Sequence, residues 1–128
     1  MFAELRQLLL ANAELAAVIS GVYPGSVPES KSLPALSAFI VSESLTDAMD
    51  DTPTAMVQQN WQVNVVANTA MDAAAIAGHA VTALHKQTGD GISYALVTSR
   101  RDDPPPAGGT VHSVMIETTI TQQKTGEL

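Results

Sequence analysis

The side chains able to do chemistry are few, and their spacing is the first thing to test. The histidines are His79, His85 and His112. His79 and His85 stand six residues apart in a segment with helical periodicity. That spacing puts them on different faces, whereas two metal ligands on one helix need a spacing of three or four. Both read as polar or boundary residues. His112 alternates with apolar residues in the last strand-like run and reads as a partly buried strand histidine. Glu43, Asp47, Asp50 and Asp51 gather negative charge in one loop. A helix–loop–helix calcium site needs a central glycine and a closing glutamate, which this stretch lacks, so a solvated acidic loop is expected. The serines lack a Gly-x-Ser-x-Gly setting. "GDG" and "PAGG" lack the Lys and Ser/Thr of a phosphate-binding loop. Arg100-Arg101 is followed at once by Asp102-Asp103 and reads as a self-paired turn. No catalytic, metal or cofactor residues emerge. A protein with this inventory makes its living as a contact surface.

Composition narrows the class further. The chain has 128 residues, 45% of them hydrophobic, so one domain with a real core is expected. Aromatics are only 4%, which predicts an aliphatic core. Cysteine is absent, which excludes disulfides and thiolate sites. The net charge of −7, with six Lys plus Arg, argues against sequence-specific nucleic-acid binding and against attraction to an anionic membrane. No apolar run approaches the roughly 18 residues that would span a bilayer. The start, Met-Phe-Ala-Glu-Leu-Arg, puts an acid before the first base, unlike a secretory signal. A cytoplasmic protein is expected.

The elements that must carry these residues follow from periodicity. Residues 2–19 repeat apolar positions at helical steps, with Asn12 able to cap a second short helix, so one helix or two stays open. The segment 21–34 carries Pro24, Pro28 and Pro34, which remove backbone donors. It predicts an extended arm over the surface or along a sheet edge, never a central strand. Leu36–Glu43 reads as a strand and Ser44–Met56 as a long polar loop. Val57–Ala67 alternates, with Val57, Trp61, Val63, Val65 and Ala67 on one side and Gln58, Asn60, Gln62 and Asn64 on the other. Thr69 and Asp72 open a helix expected to run to about Lys86, ended by "TGDG". Ile92–Ser99 and Val111–Thr121 are the remaining strands, separated by the loop "RRDDPPPAGG". Residues 122–128 are expected to fray. The fold class is α+β: a mainly antiparallel sheet of four or five strands with two main helices on one face. The third strand in sequence should run parallel to the second through the long helix, placing the loops at 44–56 and 100–110 at opposite ends.

The opening "LRQLLLANAELAAVISGVYPGSVPESKSLPAL" resembles the start of the small tail-completion proteins of long-tailed bacteriophages, also called tail terminators or tail-to-head joining proteins. The likeness lies in the leucine-rich helix, the Val22-Tyr23-Pro24 step, Pro28 in the arm and the Leu33-Pro34 strand entry. It continues through the alternating strand Trp61–Ala67, the Ala-rich helix ending Val81-Thr-Ala-Leu84, and a final strand pair. The sequence departs from the family at "RRDDPPPAGGTVH", where relatives carry acidic and aromatic residues. The resemblance implies a homohexameric ring that caps the tail tube and joins it to the head–tail connector protein. It implies assembly in the host cytoplasm and residence at the tail–head junction of the virion. Tyr23, Pro24, Pro28, Leu33 and Pro34 are then candidates for a subunit boundary. Glu43, Asp47, Asp50, Asp51, Arg100 and Arg101 are candidates for channel- or partner-facing loops. The rival readings are another neck or tail-tube component, and a small bacterial ligand-binding domain with a pocket between sheet and helix. An enzyme would need one of the histidines beside an acid in a cleft.

Overall fold

The computed structural model describes residues 2–28, 32–47, 54–89, 92–103, 105 and 111–125. The leucine-rich opening forms two helices, α1 (Phe2–Leu10) and α2 (Ala13–Val18). Asn12 decides the question the sequence leaves open. Its side-chain oxygen accepts the Leu15 amide at 3.0 Å, capping α2 and ending the continuity with α1. Both helices turn leucines inward, with Leu5, Leu9 and Leu15 fully buried.

The strands are β1 (Val22–Pro24), β2 (Ala35–Asp47), β3 (Thr54–Ala67), β4 (Gln87–Gly89), β5 (Ile92–Asp103) and β6 (His112–Thr125), with the helix α3 (Ala70–Leu84) after β3. They form one six-stranded sheet in the order β1-β2-β3-β6-β5-β4. The pairs are antiparallel except β1 with β2. The α+β class holds, but among the described residues six strands and three helices replace the expected four or five strands and two main helices. The extra strands are the three-residue edge pieces β1 and β4, too short to leave a periodic signal. β3, α3 and β5 make the expected crossover, with β6 lying between the two parallel strands.

Several expected boundaries move, all in the direction of longer strands. The loop expected at 44–56 is in large part β2 and β3, which pair out to Asp47↔Ala55. Arg100–Asp103 is not a turn but the end of β5, paired with Ser113–Ile116 of β6. β6 continues to Thr125, opposite Thr54, into the segment expected to fray. In each case cross-strand hydrogen bonding extends the element past the point where polar composition suggests a loop. Asp50 and Asp51, with the rest of 48–53, lie outside the described residues.

The core lies between the sheet and α3. Ala73, Ile76, Ala77, Ala80 and Leu84 of α3 pack with Val63, Val65, Val114 and Ile116 of the central strands, and with Leu5, Leu9 and Leu15. It is aliphatic as composition requires; Trp61, 6% exposed, is the aromatic among its buried residues, and Phe2 packs against it part-buried. α3 starts at Thr69, whose side chain accepts the Asp72 amide at 3.1 Å. It ends at His85, whose Nδ1 accepts the Val97 amide at 3.2 Å. Fifteen helical residues span about 22 Å, whereas the fourteen of β3 span about 46 Å. β2, β3 and β6 therefore run on past the end of α3 as a blade of strands whose inner side still buries Val57, Gln59 and Ile120.

Candidate interaction surface

Among the described residues no helix covers the second face of the sheet. Its residues are Gln58, Asn60, Gln62, Asn64 and Val66 of β3, flanked by Ser113, Met115, Glu117, Thr119 and Thr121 of β6. Several of these amides and hydroxyls bond to one another, across strands or along one. Thr119 Oγ1 donates to Asn60 Oδ1 and Asn60 Nδ2 donates to Ser42 Oγ, each at 2.8 Å. Gln62 Nε2 donates to Asn64 Oδ1 at 2.9 Å. The alternation read from Val57–Ala67 is therefore correct on both sides, and the outward side is mainly polar, with Glu117 as its acid and several amides and hydroxyls bonded to one another.

Part of the exposed apolar surface lies toward the two edges of the sheet, Phe39, Tyr94 and Leu96 on this face and Ile40 on the Trp61 side, while Met71, Val18 and Val111 are exposed elsewhere. Phe39, Ile40 and Val41 are 37%, 42% and 60% exposed on β2, and Tyr94 and Leu96 are 41% and 36% exposed on β5. Two bulges accompany them. Val41 is inserted between Ile40↔Trp61 and Ser42↔Asn60. Thr98 is inserted between Val97↔Thr118 and Ser99↔Glu117. Because Trp61 pairs with Thr118, both bulges adjoin one rung, Ile40–Trp61–Thr118–Val97. A groove of about 250 Å³ lies along it, lined by Val41, Ser42, Asn60, Gln62, Thr98 and Glu117.

The proline-bearing segment sits on its own sheet's edge. Val22, Tyr23 and Pro24 pair in parallel with Leu36, Ser37 and Ala38. The Ser20 amide bonds the Pro34 carbonyl at 2.9 Å, and the Leu33–Pro34 peptide is cis. Gly25, at φ +79°, ends β1 by turning its amide onto the Ala38 carbonyl at 2.9 Å. Gly25, Ser26 and Val27 then border a hollow of about 390 Å³ over the bare face, which Asn64, Ser113 and Met115 also line. Gly21 leaves room for a side chain instead. A Cβ there would lie 2.9 Å from the Tyr23 hydroxyl. Tyr23, Leu33 and Pro34 are half-buried and Pro24 and Pro28 are exposed.

The charged candidates separate. Glu43 lies in β2, exposed yet held: the Trp61 indole N–H donates to Gln59 Oε1 at 2.8 Å, and Gln59 Nε2 donates to Glu43 Oε1 at 3.0 Å. Gln59 is 7% exposed. Sequence reasoning missed it, although its place in the alternation, two residues from Trp61, puts it on the inward side. Asp47 closes β2, at the same end of the sheet as Glu43. Arg100 and Arg101 are near the opposite end and do not pair with the acids that follow. Arg100 Nη2 donates to the Ala74 carbonyl of α3 at 3.0 Å, and Arg101 Nη2 approaches Met115 Sδ at 3.4 Å. The self-paired turn is thus replaced by a strand that sends one arginine to each face of the sheet.

The histidines are dispersed. His79 Nδ1 lies 3.1 Å from Glu14 Oε2 on the helical side. His85 caps α3. His112 borders a small cleft of about 130 Å³ with Asp102, Asp103 and the start of α3. Among the described residues no group of three or more His, Asp or Glu could hold a metal ion. The space between α3 and the sheet, where a ligand-binding domain would keep its pocket, is filled by the aliphatic core.

These features define an α+β fold whose distinctive surfaces are two sheet edges, a polar bare face and a blade of long strands. The chain belongs to the family of tail completion protein gp17, whose model matches residues 3–121. The family is one of structural virion proteins of phage-type tails. Among solved structures, a chain in the virion of a native gene transfer agent (GTA) particle shares the fold. Its TM-score is 0.73 at 19% identity, over 95% of this chain and 93% of that one. A second solved chain gives a TM-score of 0.52 at 20% identity, over 94% of this chain and 97% of that one. No curated protein sequence matches the chain.

Proposed function

We propose that this tail completion protein assembles into a closed ring, a homohexamer, that caps the finished tail tube and joins it to the head–tail connector. The family match along nearly the whole chain carries this reading. The sheet supports it. Its blade, with Glu43 and Asp47, points to one end, and Arg100 and Arg101 lie toward the other. A subunit so built can meet different partners above and below the ring. Tyr23, Pro24, Pro28, Leu33 and Pro34 stand at the subunit boundary in this reading, where a stiff segment loses little entropy on docking. Glu43, Asp47, Asp50 and Asp51 face the channel or a partner. Carboxylates along a DNA path repel phosphates and keep the duplex from sticking.

The test is to delete the gene and examine particles by electron microscopy. Full heads and unjoined tails with irregular ends are expected, restored by the gene in trans. Normal tails attached to capsids would refute the role. Purified protein should bind the head-proximal end of tail tubes as six-fold density.

A further inference from the structure

The two edges of the sheet are complementary steps. At the rung Pro24–Ala38–Val63–Ile116–Arg100, the strands present are β1, β2, β3, β6 and β5. At the rung Glu43–Gln59–Ile120–Ala95–Gln87, they are β2, β3, β6, β5 and β4. Each level has five strands, but the set is shifted by one. β1 projects low on one edge, leaving β2 from Phe39 upward without a strand partner on its outer side among the described residues. β4 projects high on the other, leaving β5 from Leu96 downward open in the same way.

We infer that neighbouring copies of this chain join edge to edge, the β4 step of one seated on the open upper part of β2 of the next, with Lys86 of one copy facing Glu43 of its neighbour. This rests on the ring reading and specifies its contact. Three observations carry it. The steps fit: where one edge projects, the other recedes at the same level. The charges fit: Lys86 is exposed and its amide bonds the Ala95 carbonyl at 2.8 Å, which fixes it at the Glu43–Gln59–Ile120–Ala95 level. Glu43 is exposed there too, its carboxylate oriented by Gln59. The apolar residues fit: Phe39, Ile40 and Val41 on one edge and Leu96 on the other lie within a rung or two of one level. An open apolar edge strand is a template for another chain. A contact between two different edges is head-to-tail, and matched levels let it close without rise, as a ring rather than a filament.

The chain lacks cysteine, so introduced thiols report only on the chosen contact. Glu43→Cys and Lys86→Cys variants are prepared separately, checked for native Trp61 fluorescence, mixed on tail tubes and oxidised mildly. A covalent dimer is expected from the mixture and not from either variant alone, and a ladder up to ring mass from the double variant. Ser44→Cys with Thr88→Cys, both exposed and one rung higher on the bare face, repeats the trap without disturbing the Gln59 bond. In parallel, Glu43→Lys and Lys86→Glu should each lose assembly and together regain it. Rings of full mass with no mixed disulfide from either cysteine pair, or a double charge swap no better than the singles, would overturn this contact and leave the ring standing. A chain that stays monomeric on tail tubes would overturn both.

Discussion

Gln59 serves two neighbours through one amide. Its oxygen takes the Trp61 indole proton while its NH2 group holds Glu43. Replacing it with alanine strands a buried N–H, which costs about 1–3 kcal/mol. Urea unfolding followed through Trp61, the only tryptophan, should show that loss; an unchanged midpoint would mean that water replaces the amide. Gly25 offers a cleaner backbone test. A Cβ there meets nothing within 4 Å, so Gly25→Ala is penalised only for its left-handed φ, by about 1–2 kcal/mol. Gly21→Ala instead pushes on the Tyr23 ring, and its readout is a displaced Tyr23 rather than a strained backbone. The alternation puts Gln59 on the inward side, but its partners were not legible in sequence. Only the Trp61 indole and the partner strand's Glu43 reveal what the buried amide does there.

The same contrast holds among the elements. α3 and the centre of β3 could be read directly, because the Thr69–Asp72 start and the strict alternation are local signals. The strand ends could not. Ser44–Asp47 and Arg100–Asp103 have polar compositions that favour loops in isolation, and become strand because β3 and β6 offer ladders to complete. β4 hides inside a turn signal for the same reason. The arm was legible as an edge element from its prolines alone, and β1 lies on the edge of β2 as expected. Its role between subunits can be separated from its role in the fold. Exchanging Tyr23–Pro34 for a short Gly/Ser linker should leave far-UV circular dichroism near native and abolish ring formation. Rings of normal mass would remove the arm from the boundary.

At the scale of the whole molecule, a chain of net charge −7 must place repulsion where it helps. Asp47, with Asp50 and Asp51 beyond it in the chain, belongs to the blade end, away from the Arg100 rung. If that end lines a DNA path, neutralising the three to asparagine should slow genome ejection, measured as DNA release from purified particles. If it meets a neighbouring ring, the same change should instead lower the yield of joined particles. Wild-type infectivity would reject both uses.

The inserted residue at position 41 has a consequence for that blade. Side chains alternate along a strand, so the extra residue shifts the parity: even positions up to Ile40 and odd positions from Glu43 share the side of Trp61 and Gln59. Removing Val41 would keep that pairing, with Ser42 following Ile40 directly and still opposite Asn60, and Glu43 still opposite Gln59. What would go is the bend and added twist of the bulge. One aliphatic residue, itself mostly in solvent, thus sets the course of the upper blade and leaves its pairing alone.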